Sequence, residues 1–298
     1  MPVTSLVLLL IAAVLHAVSN ALIKQARDKL AFTWWMMGTS SIVGLPLLFS
    51  VGDSDPIGWL IILISGLLEA IYFFALTRAY SHGDLSQVYP IARGSAPLFL
   101  LLWAVLFLGE RPSTAGLLGI FLIIAGLYLI NLPSLADWRR PLIGFTHPAA
   151  RWALFTGLMI SSYSAVDKIG VTHFDPLTYL YLLLCVTWVA LTPQWLIANR
   201  RMALMAEVWP AASGANGGRV MSRLIRIGVC AAFGIAAYVL VLTAMRLSPV
   251  IYISPMREVS VVIGAWIGVR FMGEQGGALR VAASALVAAG IITIALGG

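Results

Sequence analysis

Arg93 lies inside "SQVYPIARGSAPLFLLLW" (86–103), a run that otherwise reads as membrane helix. A charge at that depth costs several kcal/mol unless a partner or a task offsets it. Arg257 repeats the arrangement in a second apolar run. A guanidinium grips carboxylate and phosphoryl oxygens through two parallel N–H bonds, so two buried arginines suit recognition of a small anion. Ion pairing is the competing reading. Glu69, in the middle of the third apolar block, is the candidate partner for Arg93. Glu258 follows Arg257 directly, and neighbours on a helix diverge by about 100°, so the two do not face the same way. Glu69 and Glu258 are thus candidates for ion pairing or for proton coupling. Desolvation favours a protonated carboxyl and a nearby arginine an ionised one, and the sequence leaves that balance open.

Prolines flank both arginines. Pro90 precedes Arg93 by three residues and Pro97 follows it by four, while Pro255 precedes Arg257 by two. Proline removes a backbone donor, and such breaks persist in a membrane where the backbone lines a cavity. The expectation is a break beside each arginine, with a kink at a helix end as the alternative. His16 and Asn20 lie one turn apart on the first block and would line a cavity or bond across helices. Tyr89, with Tyr72, Tyr163, Tyr238 and Tyr252, offers intramembrane hydroxyls for a substrate, though packing is the commoner use of such residues.

The elements that position these residues are membrane spans. The chain has 298 residues, of which 60% are hydrophobic and only 10% charged. Its mean hydropathy is +0.95, and a soluble protein of this length has nowhere to hide so much apolar surface. Ten blocks approach the length that spans a bilayer: 4–23, 32–50, 58–79, 88–108, 114–131, 152–170, 176–197, 225–245, 250–271 and 277–296. The fold class expected is an all-α membrane protein. The connection 198–224, with "SGANGG" and arginines near its ends, reads as a mobile loop. Asp167-Lys168 reads as an interfacial pair, and Trp34, Trp35, Trp59, Trp152 and Trp209 as an aromatic belt. The first block follows Met1–Ser5 without a basic segment and reads as a helix rather than a cleaved leader. Cys185 and Cys230 fall inside apolar blocks and suggest neither a disulfide framework nor a metal site. Walker, HExxH, DDxxD and GxSxG motifs are absent from the sequence, so an enzyme is not expected. The net charge of +7 sits mostly in loops and does not point to nucleic acid.

The chain also echoes itself. Shifted by 164, residues 91–130 fall on 255–294 without a gap: Arg93 on Arg257, Phe107 on Phe271, Gly109-Glu110 on Gly273-Glu274 and Ala125-Gly126 on Ala289-Gly290. The reading is two five-helix halves, 1–131 and 152–298, joined by a connecting loop, 132–151. An odd span number inverts the second half, which gives an inverted repeat. Two five-helix halves, each with Gly-Glu after its fourth span, resemble the drug/metabolite transporter superfamily, EamA type. "LHAVSNALIKQARDK" (15–29) with "RAYSHGDLSQVYPIARGSAP" (78–97) further resembles a subgroup named after phosphonate-utilisation gene clusters. The resemblance implies a secondary carrier of small metabolites in a bacterial inner membrane, with no cofactor. The reading combines the two: alternating access for a small polar, anionic metabolite, with a proton as candidate coupling ion and the lipid bilayer as surroundings. An exporter of neutral amino acids or lipophilic compounds is the alternative. A membrane interaction partner without flux is a third reading.

Charge bias sets an orientation. Odd-numbered connections hold or abut Lys24, Arg27, Lys29, Arg78, Arg139, Arg140, Arg151, Arg200, Arg201, Arg219, Arg223, Arg226, Arg270 and Arg280; even ones hold Arg111, Lys168 and Arg246. The positive-inside rule then puts odd connections in the cytoplasm and both termini outside, whereas the resemblance implies termini inside. A cysteine at Asn216, in a chain lacking Cys185 and Cys230, is therefore expected to resist membrane-impermeant maleimide in intact cells. Rapid labelling would mean the opposite orientation.

Overall fold

The computed structural model describes residues 1–51, 55–83, 85–130, 132, 134–139, 147–196, 198–209, 217–260, 262–263 and 278–298. The described residues are helical and contain no strand. The helices are α1 (Val3–Lys24), α2 (Lys29–Val43), α3 (Pro56–His82), α4 (Leu85–Phe107), α5 (Thr114–Ile130), α6 (Pro148–His173), α7 (Pro176–Leu191), α8 (Ala198–Val208), α9 (Gly217–Leu247), α10 (Val250–Arg257) and α11 (Ala278–Gly297). Among the described residues, five stretches are long and apolar enough to cross a membrane: Val3–Ile23, Pro56–His82, Pro176–Leu196, Val220–Leu247 and Leu279–Gly297. Two shorter apolar helices, Ile91–Phe107 and Thr114–Ile130, lie among them. Side chains such as Leu102, Leu106, Phe107, Phe121 and Ile292 point outward, as a lipid-facing surface requires.

Local chemistry sets the helix starts. Asp28, Asp55 and Asp175 each accept backbone N–H bonds at the first turn of α2, α3 and α7, satisfying donors that a helix start leaves orphaned. Proline follows Asp55 and Asp175 at a position where its missing N–H costs nothing.

Several sequence expectations change. The connection 198–224 is no simple loop: "ANRRMALMAEV" forms α8, and α9 already begins at Gly217. Those residues are good helix formers, and hydropathy alone overlooks a polar helix. The remainder of the supposed loop, 210–216, lies outside the described residues. The second span ends as α-helix at Val43 and continues as a 3₁₀ turn, Leu45–Ser50, with Pro46 in it. α4 runs as one helix through Pro90 and Pro97, so neither proline breaks it. Each removes one backbone donor and the remaining ladder holds. α10, by contrast, ends at Arg257, two residues after Pro255, and Glu258 takes the C-cap. Span 9 beyond 263 lies outside the described residues, as do Phe271 and Gly273-Glu274.

The helices pack as α5 on α11, α3 on α6 and α7, α4 on α6, α1 on α9, and α2 on α7 and α9. The Gly109-Glu110 signature has a physical job. Gly109 adopts φ +66, which turns the chain out of α4. Glu110 then accepts from the backbone N–H groups of Val250 and Ile251 at 2.8 and 3.1 Å, capping α10 from the turn after α4. Around it, Ser113 Oγ donates to Gly297 O at 2.5 Å, Tyr252 OH accepts from Ser113 N, and the Met1 amino group donates to Gly298 O. On the other side of the bundle Glu207 accepts from Asp28 N and pairs with Arg226 at 3.5 Å.

The α5–α11 contact depends on glycine. A Cβ at Gly119 would meet Gly290 O at 2.7 Å, and one at Gly290 would meet Gly119 O at 2.6 Å. Backbone cannot yield as a flexible side chain can. Gly119→Val is therefore expected to destabilise the fold by about 1–3 kcal/mol, read as a lower melting temperature in detergent, with no change at the distant arginines.

Candidate functional site

α1, α4, α9 and α10 border a small pocket of about 20 Å³ lined by Ala12, Ala13, His16, Arg93, Ala237, Tyr238, Val241 and Arg257. The walls are small and apolar because alanines on α1 and α9 face it, and its polar groups are His16, Tyr238 and the two arginines. Both arginines picked out by their depth thus reach one chamber.

Arg93 projects from α4 and donates from Nη1 to Glu258 Oε1 at 3.1 Å. The side chains are 18% and 4% exposed, so both charges are largely out of water. This corrects the expected pairing of Arg93 with Glu69. Glu69 instead accepts from Thr187 Oγ1 on α7 at 2.8 Å. The reason is positional: α3 packs mainly on α6 and α7, whereas α10 packs on α4. Arg257 and Glu258 do diverge. Glu258 reaches Arg93, while the Arg257 guanidinium lies over the Tyr238 ring at 4.9 Å from its centroid. A cation on an aromatic face keeps part of its stabilisation without a carboxylate. Among the described residues no carboxylate comes within ion-pair distance of Arg257.

The weaker candidates divide. His16 lines the pocket. Asn20 is exposed and is not among the lining residues. The side chains of Tyr89 and Pro90 lie outside the described set. Tyr72 and Tyr163 stack edge-on at 5.9 Å in a cluster with Tyr238. Tyr252 is used at the Ser113 turn, away from the arginines. Asp167 was misjudged as half of an interfacial pair. It is fully buried and bonded to hydroxyls, while Lys168 donates to the carbonyl oxygens of Met245 and Ser248 at the end of α9. The cause is helix length: α6 extends to His173, which puts Asp167 about 9 Å from that end. Trp34 and Trp35 are likewise more than belt residues, since their indole N–H groups donate to Thr192 Oγ1 and Leu204 O. Among the described residues no cluster of three or more His, Cys, Asp or Glu could hold a metal.

The pair makes a definite prediction. Arg93→Gln strands the buried Glu258 and is expected to cost about 3–5 kcal/mol. Adding Glu258→Gln should recover most of that loss, whereas adding Glu69→Gln should not. Melting curves of the three variants decide it.

Comparison with known proteins fits this architecture. The family model described as the EamA-like transporter family matches residues 3–132. No curated protein matches the chain, so the narrower likeness to a phosphonate-utilisation subgroup gains no support from relatives. Among solved structures 27 chains match. One crystal structure superposes with a TM-score of 0.71 over 99% of this chain and 98% of its own, at 17% identity, a likeness of fold alone.

Proposed function

We propose that this chain, whose residues 3–132 match the model of the EamA-like transporter family, is a membrane transporter and a secondary carrier of a small anionic metabolite. The substrate class is an organic acid, a phosphonate, or an amino acid held by its acid group. The observation that carries this reading is Arg257: a cation facing a pocket, resting on a tyrosine ring, with no carboxylate in ion-pair contact among the described residues. Arg93 lines the same pocket but already has Glu258 to offset it. An entering anion therefore finds its strongest partner in Arg257, with Arg93 and His16 facing it.

Alternating access follows from two inverted halves, 1–131 and 152–298, hinged about this pocket. The packing supports that reading. Exchanging the halves turns the α3–α6 contact into the α1–α9 contact, and leaves α5–α11 and α2–α7 facing themselves. Glu258, engaged by Arg93, suits an ion-pair role better than a coupling one. The apolar walls of Ala12, Ala13, Ala237 and Val241 favour a second reading, a neutral or lipophilic solute. Binding measurements separate the two. Purified protein is expected to bind methylphosphonate and methanesulfonate, and not their neutral methyl esters. Arg257→Gln should weaken binding at least about tenfold, as loss of a charge-assisted bond worth about 1.5–3 kcal/mol requires, with the melting temperature kept. Arg257→Lys should fall between, having the charge without the fork. Undiminished affinity in a well-folded Arg257→Gln protein would contradict the reading.

A further inference from the structure

Asp167 is an acid with no ion-pair partner among the described residues. It is 0% exposed in α6, and its carboxyl is met by three hydroxyls from three other helices. Ser65 on α3 and Tyr179 on α7 donate to Oδ1 at 2.5 and 2.7 Å, and Tyr238 on α9 donates to Oδ2 at 2.5 Å. Among the described residues no basic side chain lies within ion-pair distance of it. A buried carboxylate offset only by neutral donors is costly. Such a cage has one property that an arginine partner lacks: a hydroxyl is donor and acceptor, so it serves the ionised and the protonated acid alike by rotating.

The second observation is where Tyr238 sits. Its hydroxyl is on Asp167, its ring carries the Arg257 guanidinium, and it lines the pocket. One side chain thus touches both the acid and the cation proposed to hold the substrate. The charged surroundings of Asp167 are Glu69 on α3 and Arg257 on α10. The other titratable groups facing it are Tyr179 on α7 and Tyr238 on α9.

We infer that Asp167 is the proton-carrying residue of this carrier, linked to occupancy of Arg257 through Tyr238. The inference rests on the anion-binding reading above. A proton from water in the pocket binds a carboxylate oxygen of Asp167 as the anion docks on Arg257, and leaves when the anion leaves. A monoanion and one proton then cross the low-dielectric core with no net charge. Asp167, rather than Glu69 or Glu258, is the coupling carboxyl.

The test uses the whole purified chain and methanesulfonate, whose own charge is fixed across the pH range. Wild-type protein in lightly buffered detergent should take up one proton per anion bound, read by a pH dye. Its affinity should tighten by up to about tenfold for each unit fall in pH, the limit for one linked proton. Asp167→Asn should bind methanesulfonate with pH-independent affinity and no proton uptake. Tyr238→Phe, which keeps the ring under Arg257 and removes the bond to Asp167, should flatten the pH dependence and serves if Asp167→Asn does not fold. Proton uptake that persists in Asp167→Asn, or undiminished pH dependence in Tyr238→Phe, overturns the inference. Infrared difference spectra between acid and neutral pH, taken without any anion, form the second arm. They should contain a carboxylic-acid carbonyl band that Asp167→Asn removes. A band indifferent to that substitution also overturns it. An Asp167-dependent band in a protein that binds no methanesulfonate would leave the proton site standing and remove the anion reading instead.

Discussion

Arg93 and Glu258 meet at 3.1 Å across the contact between α4 and α10, and the site depends on that meeting. Leaving either charge unpaired at this burial costs about 3–5 kcal/mol. Their helices lie in different halves of the chain, so the pair ties the halves together at the pocket wall. Glu110 does the same at the other end of α10, where its carboxylate holds the first two backbone N–H groups of an eight-residue helix. α10 is thereby fixed at both ends by acid–base contacts with the first half. Arg257, its last helical residue, is presented to the pocket by that clamp.

Arg257 is placed differently from Arg93. Arg93 has a carboxylate, whereas Arg257 has a π-face, and behind that face stands Asp167 in a hydroxyl cage. A positive group lining the pocket and a negative group buried behind it are thus separated by one tyrosine. The arrangement leaves Arg257 able to accept an anion at the pocket surface. It also gives Asp167 a route by which its state reaches the ligand. Ser65 on α3 bonds Asp167 on α6, and the neighbouring Gly66 lets α7 pack close at Val186.

Much of this was legible in the sequence, and the limits have physical causes. Depth in an apolar run was enough to single out Arg93 and Arg257, because a charge there is too costly to be incidental. The Gly-Glu step after the fourth span marked a real device, although only the structure shows that Glu110 caps α10. Partner choice was not legible. Arg93 and Glu258 are 165 residues apart, and nothing local distinguishes Glu258 from Glu69 as the partner. Asp167 was missed because the end of α6 was drawn three residues short, at 170 instead of His173, which moved a buried acid to the surface. Proline proved a weaker signal than expected, since α4 continues through both of its prolines. α8 escaped because hydropathy does not register a polar helix. Each miss concerns tertiary context or an element boundary, the information a single sequence carries least.

The central claim is that the substrate's anionic group rests on Arg257. The most direct measurement is the dipolar coupling between phosphorus of bound methylphosphonate and guanidinium nitrogen in ¹⁵N-arginine-labelled protein reconstituted in lipid. The account predicts strong dephasing, from direct hydrogen-bond contact, that disappears in Arg257→Lys and persists when surface arginines such as Arg200 and Arg201 are replaced. Bound methylphosphonate with no Arg257-dependent coupling would contradict it.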